Sequence, residues 1–419
     1  MTRTSETILL SIIYRVVVIA LNLTERVQNL EYAIRDVVGN ARQMEKKGKE
    51  VIYLNIGDPL QFDFDTPEHI KDALIQAIKE GLNAYSASEG MPELRDAICE
   101  KEKKVGGFDV LPENVIVSNG VSEAIQMVLG ALVENRDEIL VPGPAYPPYI
   151  SYTEFFGGKA VQYRTSEENG WQPDLDDVRA KLTDKTRALV IINPNNPCGA
   201  LYDRKTVKAM VDLAGEHEIP LISDEIYDQI AYGELVSTAS VAKDVPVIGL
   251  NGFSKIYLMT GWRLGYIYFT GQDEQMLAEL REHITKEARI RLSANTPVQK
   301  AAVAALKGPQ THISDLVQKL QKRRDFSYKR LNEINGISCT EPKGAFYFFP
   351  KVNGVGTTWN NDLEFVRDLL ENTGLVFVHG SGFGSTYGSG HFRGVFLPPV
   401  ETLEKAFDKL DSFMSSKSQ

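Results

Sequence analysis

Between Glu25 and Lys47 the apolar residues Val27, Leu30, Ile34, Val37 and Val38 recur near helical spacing, and Gly48 follows a basic end, which predicts a helix. The short apolar run from Val51 to Gly57 predicts a strand ending in a Gly-Asp-Pro turn. Thr66-Pro67-Glu68 then opens a helix: threonine can cap, proline suits the first helical position, and the acid complements the helix dipole. From there, short apolar runs alternate with helix-length segments. Strands are expected at Val115–Val117, Glu138–Val141, Thr186–Asn193, Pro220–Ser223, Pro246–Asn251 and Leu264–Phe269, with helices over Ser122–Leu132 and Arg204–Glu218. Strands separated by crossover helices imply a mostly parallel sheet with helices on both faces. After about residue 296 the texture changes to a long charged helix (Ile313–Asn335), strands near Gly344–Phe349 and Val376–Val378, and a final helix from Val400. The expected architecture is therefore α/β, with a large domain over residues 61–295. A smaller α+β domain is expected from residues 25–60 and 296–419.

Residues 1–24 stand apart. Ile8 to Leu23 is almost continuously apolar, interrupted by Ser11, Arg15 and Asn22. An arginine at the centre of a spanning helix costs about 2.5–3.5 kcal/mol, and Ala20-Leu21-Asn22 is a poor cleavage site. The stretch reads as an extension of doubtful role, and a membrane anchor is disfavoured. A net charge of −10 argues against a nucleic-acid partner, which would favour a basic face. Cys99, Cys198 and Cys339 are few and far apart, which fits free thiols in a reducing, cytoplasmic setting and offers no metal spacing.

In a parallel sheet, ligands gather at the carboxyl ends of strands, and four loops there carry unusual residues. Ser118-Asn-Gly-Val-Ser122 puts small residues and a helix N-terminus together, which suits an anion, although alone it reads more readily as a capped turn with no ligand. Asn193-Pro-Asn-Asn-Pro-Cys-Gly199 is a rigid turn holding amides at a strand end. Asp224 closes an apolar strand with Tyr227 three residues on; a helix cap is the plain alternative. The fourth loop, Gly252-Phe-Ser-Lys-Ile-Tyr-Leu-Met-Thr-Gly-Trp-Arg-Leu-Gly265, sets Lys255 among apolar neighbours. Burial lowers an amine's pKa toward the range where it attacks carbonyls.

Together the four loops resemble the class I and II aminotransferases, pyridoxal-phosphate enzymes of the fold type shared with aspartate aminotransferase (type I). The likeness runs from about Glu25 to Met414. Pro142-Gly-Pro-Ala-Tyr-Pro-Pro-Tyr149, Arg289 to Pro297, Val378 to Gly384 and Gly390-His-Phe-Arg393 resemble the archaeal type of alanine aminotransferase more specifically. The resemblance implies pyridoxal 5′-phosphate as cofactor and a ping-pong exchange of an amino group between L-alanine and 2-oxoglutarate. It implies that Lys255 holds the cofactor as a Schiff base and shuttles the proton, and that Asp224 pairs with the ring nitrogen. Asn196 and Tyr227 are expected on the phenolic oxygen, and Tyr146 on the ring face. Gly120, Val121, Ser122, Ser254 and Arg263 are expected around the phosphate. Tyr85 is expected to reach the neighbouring subunit's phosphate in a homodimer, and Arg393, with the amide of Gly57 and with Asn196, to clamp the substrate α-carboxylate.

One departure bears on substrate. Aspartate enzymes of the family carry a second arginine a few residues before an Asn-Pro motif; here that position falls on Ile290, between Arg289 and Arg291. This weakens an aspartate assignment. Broader or aromatic specificity and a lyase of the same fold stay open. A DNA-binding regulator does not, because too few residues precede the family-like region.

Overall fold

The computed structural model describes residues 24–28, 30 and 33–417. The apolar extension expected over residues 1–24 lies, Thr24 aside, outside the described residues. The first strand is short: β1 (Ile52–Tyr53) pairs in parallel with Leu375–Val376, so the run expected over residues 51–57 is strand for only two residues. Residues 54–58 instead continue as irregular chain toward the site. The helix expected over Glu25–Lys47 is described as Glu25–Gln28 and Ala33–Lys46.

The central sheet comprises β2 (Val115–Ser118), β3 (Glu138–Gly143), β4 (Lys159–Ser166), β5 (Gln172–Pro173), β6 (Thr186–Ile192), β7 (Leu221–Asp224), β8 (Val247–Gly252) and β9 (Gly265–Thr270). Their order is β2-β9-β8-β7-β6-β3-β4-β5. Only β9 and the edge strand β5 run against the rest. The inner strands β6 to β9 read as near-continuous apolar runs because both faces are covered. Alternate residues feed two separate cores. Ala188, Val190, Ile222 and Ile248 join one with Ile125, Val128 and Ile284, while Leu189, Ile191, Leu221 and Val247 join the other.

Several elements were not foreseen. The strand β4 and the helices Pro147–Phe155, Leu175–Lys181, Glu274–Arg291, Thr296–Lys307 and Asp362–Thr373 all form. Thr66 does not cap the helix Glu68–Lys79; Pro67 holds that position, and the Thr66 hydroxyl donates to the Leu258 carbonyl at 2.5 Å. Toward the C-terminus, Phe392–Val395 pairs with both Tyr347–Phe348 and Val378–His379 in an antiparallel sheet. The helix Val400–Lys417 packs on Thr311–Glu333 and Asp362–Thr373. Among the described residues no helix is long and apolar enough to cross a membrane.

Candidate active site

The carboxyl ends of β2, β6, β7 and β8 open onto one cavity of about 510 Å³, a size that suits a small cofactor with its substrate. Lys255 sits in the loop after β8 and projects into this space, where its ammonium donates to the Gly57 carbonyl at 2.6 Å. The rings of Phe346 and Tyr227 lie 5.4 and 6.0 Å from it. Burial pulls its pKa down to about 8, opposed by the negative charge of Asp58 and reinforced by Arg393 and Arg263.

Asp224 is the last residue of β7 and is 3% exposed. Burial pushes its carboxyl up to about 6. Two donors hold it down: the Tyr149 hydroxyl at 2.9 Å and the Ile226 amide at 3.2 Å. A carboxylate held dry in this way is stabilised further by any cation brought against it.

An anion cradle borders the same cavity. The helix Val121–Leu132 starts there, with Gly120 as its cap at φ +85°. A side chain at Gly120 would put its Cβ 2.5 Å from the Arg263 guanidinium and displace it, and the positive φ favours glycine in its own right. Arg263 itself takes a left-handed conformation at φ +55° and donates to the Thr260 carbonyl at 3.0 Å. Val121, Ser122, Ser254 and Arg263 all line the cavity, with Tyr146 along its wall.

Arg393 lies on the strand Phe392–Val395 and is 1% exposed. Its Nη1 donates to the Asn196 side-chain oxygen at 3.0 Å and its Nη2 to the Asn55 carbonyl at 2.5 Å. The rings of Tyr347 and Phe383 flank the guanidinium at 4.6 and 4.8 Å. Its Nε is buried without a hydrogen-bond partner, a donor that a carboxylate could meet.

Most residues singled out in the sequence thus converge on one cavity. Gly120 supports it from behind the cradle. Tyr85 does not reach it; that side chain is 80% exposed on the surface of the same chain. Gly57 meets Lys255 through its carbonyl oxygen. Arg291 is committed elsewhere, donating to the carbonyls of Ser88 and Val117 at 2.9 and 3.0 Å, and Arg289 lies 3.7 Å from Glu89. Ile290 between them is 84% exposed.

Residues not foreseen also line or support the cavity. Tyr149 closes the Pro142–Tyr149 stretch and Tyr347 lies in the expected strand Gly344–Phe349, and neither carried a role in the sequence. Asp58, whose carboxylate accepts from the Thr260 hydroxyl at 2.9 Å, was noticed only as part of a turn.

A buried amine, a buried carboxylate at the end of the neighbouring strand and a helix N-terminus reinforced by an arginine form the donor set that pyridoxal phosphate needs. The family model for class I and II aminotransferases matches residues 49–410. The chain belongs to that family. It is a pyridoxal-phosphate-dependent aminotransferase with the type I fold. Among its relatives, a Mycobacterium tuberculosis protein named alanine aminotransferase is 39% identical over 94% of this chain and 92% of its own length. An Escherichia coli glutamate-pyruvate aminotransferase is 37% identical over 94% and 98%. The solved structure of an alanine aminotransferase from Pyrococcus furiosus superposes with a TM-score of 0.92 at 57% identity, covering 94% of this chain and all of that one.

Proposed function

We propose that the chain exchanges an amino group between L-alanine and 2-oxoglutarate, giving pyruvate and L-glutamate in two alternating half-reactions. The observation that supports this reading is the Arg393 guanidinium, buried at the cavity with an unmet Nε, a clamp for the α-carboxylate that alanine and glutamate share. The names of the relatives from Mycobacterium, Escherichia and Pyrococcus support the same pair.

Bound pyridoxal phosphate supplies a carbonyl for amine exchange and a ring that draws electrons from the substrate Cα. Lys255 anchors the cofactor through its ε-amine and, once released, carries the proton between Cα and C4′; a pKa near 8 leaves part of the amine neutral at working pH. Asp224 holds the proton on the ring nitrogen. Asn196 and Tyr227 hydrogen-bond the phenolic oxygen, and Tyr146 covers the ring. The amides of Val121 and Ser122, the hydroxyls of Ser122 and Ser254, and Arg263 take the phosphate, with Gly120 giving the turn its room. Arg393 pairs with the α-carboxylate through its planar fork, assisted by Asn196 and the amide of Gly57.

The same reading includes a homodimer, in which exposed Tyr85 completes the partner's phosphate site. It includes two domains, residues 61–295 and residues 25–60 with 296–419, closing over substrate. A cytoplasmic location is supported by three free cysteines.

The test is incubation of holoenzyme with alanine and 2-oxoglutarate, beside aspartate, glutamate and an aromatic donor. Pyruvate and glutamate in equal yield are expected. Preference for aspartate or tyrosine, or ammonia release without an oxo acid, would overturn the proposal.

A further inference from the structure

Tyr347 touches three parts of the site at once. It pairs with Val395 across the antiparallel sheet, which makes Arg393 its diagonal neighbour on the same face. Its ring accordingly lies against the guanidinium, 4.6 Å from Cζ, and only 3% of the residue is exposed. Its hydroxyl is 2.8 Å from that of Tyr227. The same hydroxyl occupies the space where a side chain at Gly57 would begin, 2.2 Å from the ideal Cβ position, and Gly57 is the residue whose carbonyl holds Lys255. Glycine at position 57 therefore admits the tyrosine into the site.

We infer that Tyr347 is a positioning residue that links the arginine receiving the substrate carboxylate to the tyrosine receiving the cofactor's phenolic oxygen. The inference rests on the roles proposed above for Arg393 and Tyr227. A hydroxyl offers one proton and two lone pairs. When the Tyr227 proton goes to the cofactor, its lone pairs are left to accept, and Tyr347 is the donor within reach. Donation into Tyr227 polarises its O–H and strengthens the bond it makes onward. The ring, meanwhile, fixes the plane of the guanidinium through its π face. Hydroxyl and ring thus serve different partners, and two substitutions separate them.

The experiment uses wild-type, Tyr347→Phe and Tyr347→Leu holoenzymes. One readout is the pH midpoint of the bound cofactor's absorbance change. The other is the dissociation constant of 2-methylalanine, an amino acid with no Cα proton to lose. Tyr347→Phe keeps the ring, so it should raise the absorbance midpoint by about 0.5 to 1 pH unit while leaving 2-methylalanine binding within about twofold. Tyr347→Leu should raise the midpoint too and weaken 2-methylalanine by about 2- to 30-fold. A wild-type midpoint in the phenylalanine variant, or wild-type affinity in the leucine variant, overturns the inference. If the leucine variant does not fold, the midpoint of the phenylalanine variant decides alone. Failure of the wild-type chain to retain cofactor on Lys255 would instead strike the proposed function beneath it.

Discussion

Replacing Tyr149 with phenylalanine removes one oxygen from a fully buried ring and leaves the rest of the packing in place. What changes is Asp224, which loses the donor at 2.9 Å and keeps only the Ile226 amide at 3.2 Å. A hydrogen bond to a charged group contributes about 1.5–3 kcal/mol, equivalent to about 1–2 pKa units. The carboxyl, already pushed up to about 6 by burial, should therefore rise in the cofactor-free variant to about 7–8. At pH 7 the carboxylate is about nine-tenths ionised in the wild type and, at a midpoint of about 7.5, roughly one-quarter ionised in the variant. The ionised form pairs with the cofactor's ring nitrogen, so cofactor affinity should drop about fourfold at pH 7 from this cause alone. The sign follows from the direction of the shift. A raised carboxyl is protonated below its pKa, so the deficit is present at and below neutral pH and fades as pH climbs past about 8. Dissociation constants for pyridoxal phosphate, measured on both proteins from pH 6.5 to 9, provide the assay. Taking the ratio of the two proteins cancels the titrations of Lys255 and of the cofactor. A ratio of one throughout, or a deficit equally large at pH 6.5 and 9, would refute the argument that Tyr149 acts by setting the charge of Asp224.

Other consequences are as direct. Arg393→Lys keeps the charge and loses the fork, so kcat/KM for alanine should fall by about 10²–10³, the middle of the range for breaking a buried charge pair; a loss under fivefold would argue against carboxylate binding there. With the Lys255 amine at about 8, uptake of pyridoxal phosphate by the cofactor-free protein should speed up about tenfold between pH 7 and 9, because the neutral amine is the nucleophile; stopped-flow absorbance reads this, and a flat profile contradicts it. Tyr85→Ala and Lys255→Ala chains, each inactive alone, should regain activity when co-assembled, since one mixed site then has both an intact lysine and the partner's tyrosine. Absence of complementation in a confirmed mixed dimer would remove Tyr85 from the partner's site.

The sheet was legible because buried parallel strands are near-continuous apolar runs, and Thr186–Ile192 is one. Its periphery was not. β4 mixes exposed Lys159 and Arg164 and half-buried Gln162 with buried Tyr163, which blurs both periodicities. Lys255, Asp224 and Arg263 stood out as charges set against apolar or glycine-rich chain, so their convergence could be anticipated from where the strands end. Tyr149 and Tyr347 could not, because a tyrosine inside an aromatic run has the same pattern whether its hydroxyl meets a catalytic carboxylate or a backbone carbonyl. Thr66 shows the complementary failure. Its local sequence fits a cap, yet its hydroxyl finds the Leu258 carbonyl, a partner that only the tertiary fold brings near. Asn55 contributes through its carbonyl oxygen to Arg393, and a backbone atom leaves no trace in residue type.

The reversed direction of β9 governs when the site can come into being. Because it enters the sheet between β2 and β8 from the opposite end, its leading residues, Arg263 to Gly265, arrive beside the Ser118 turn and the Lys255 loop together. Gly265 packs so tightly there that a methyl group would lie 2.8 Å from the Val121 amide nitrogen. A growing polypeptide that has emerged only as far as the lysine has the amine but no finished phosphate cradle. The two halves of the cradle therefore meet only through the pairing of β9 with β2, the longest-range strand pairing in that half of the sheet.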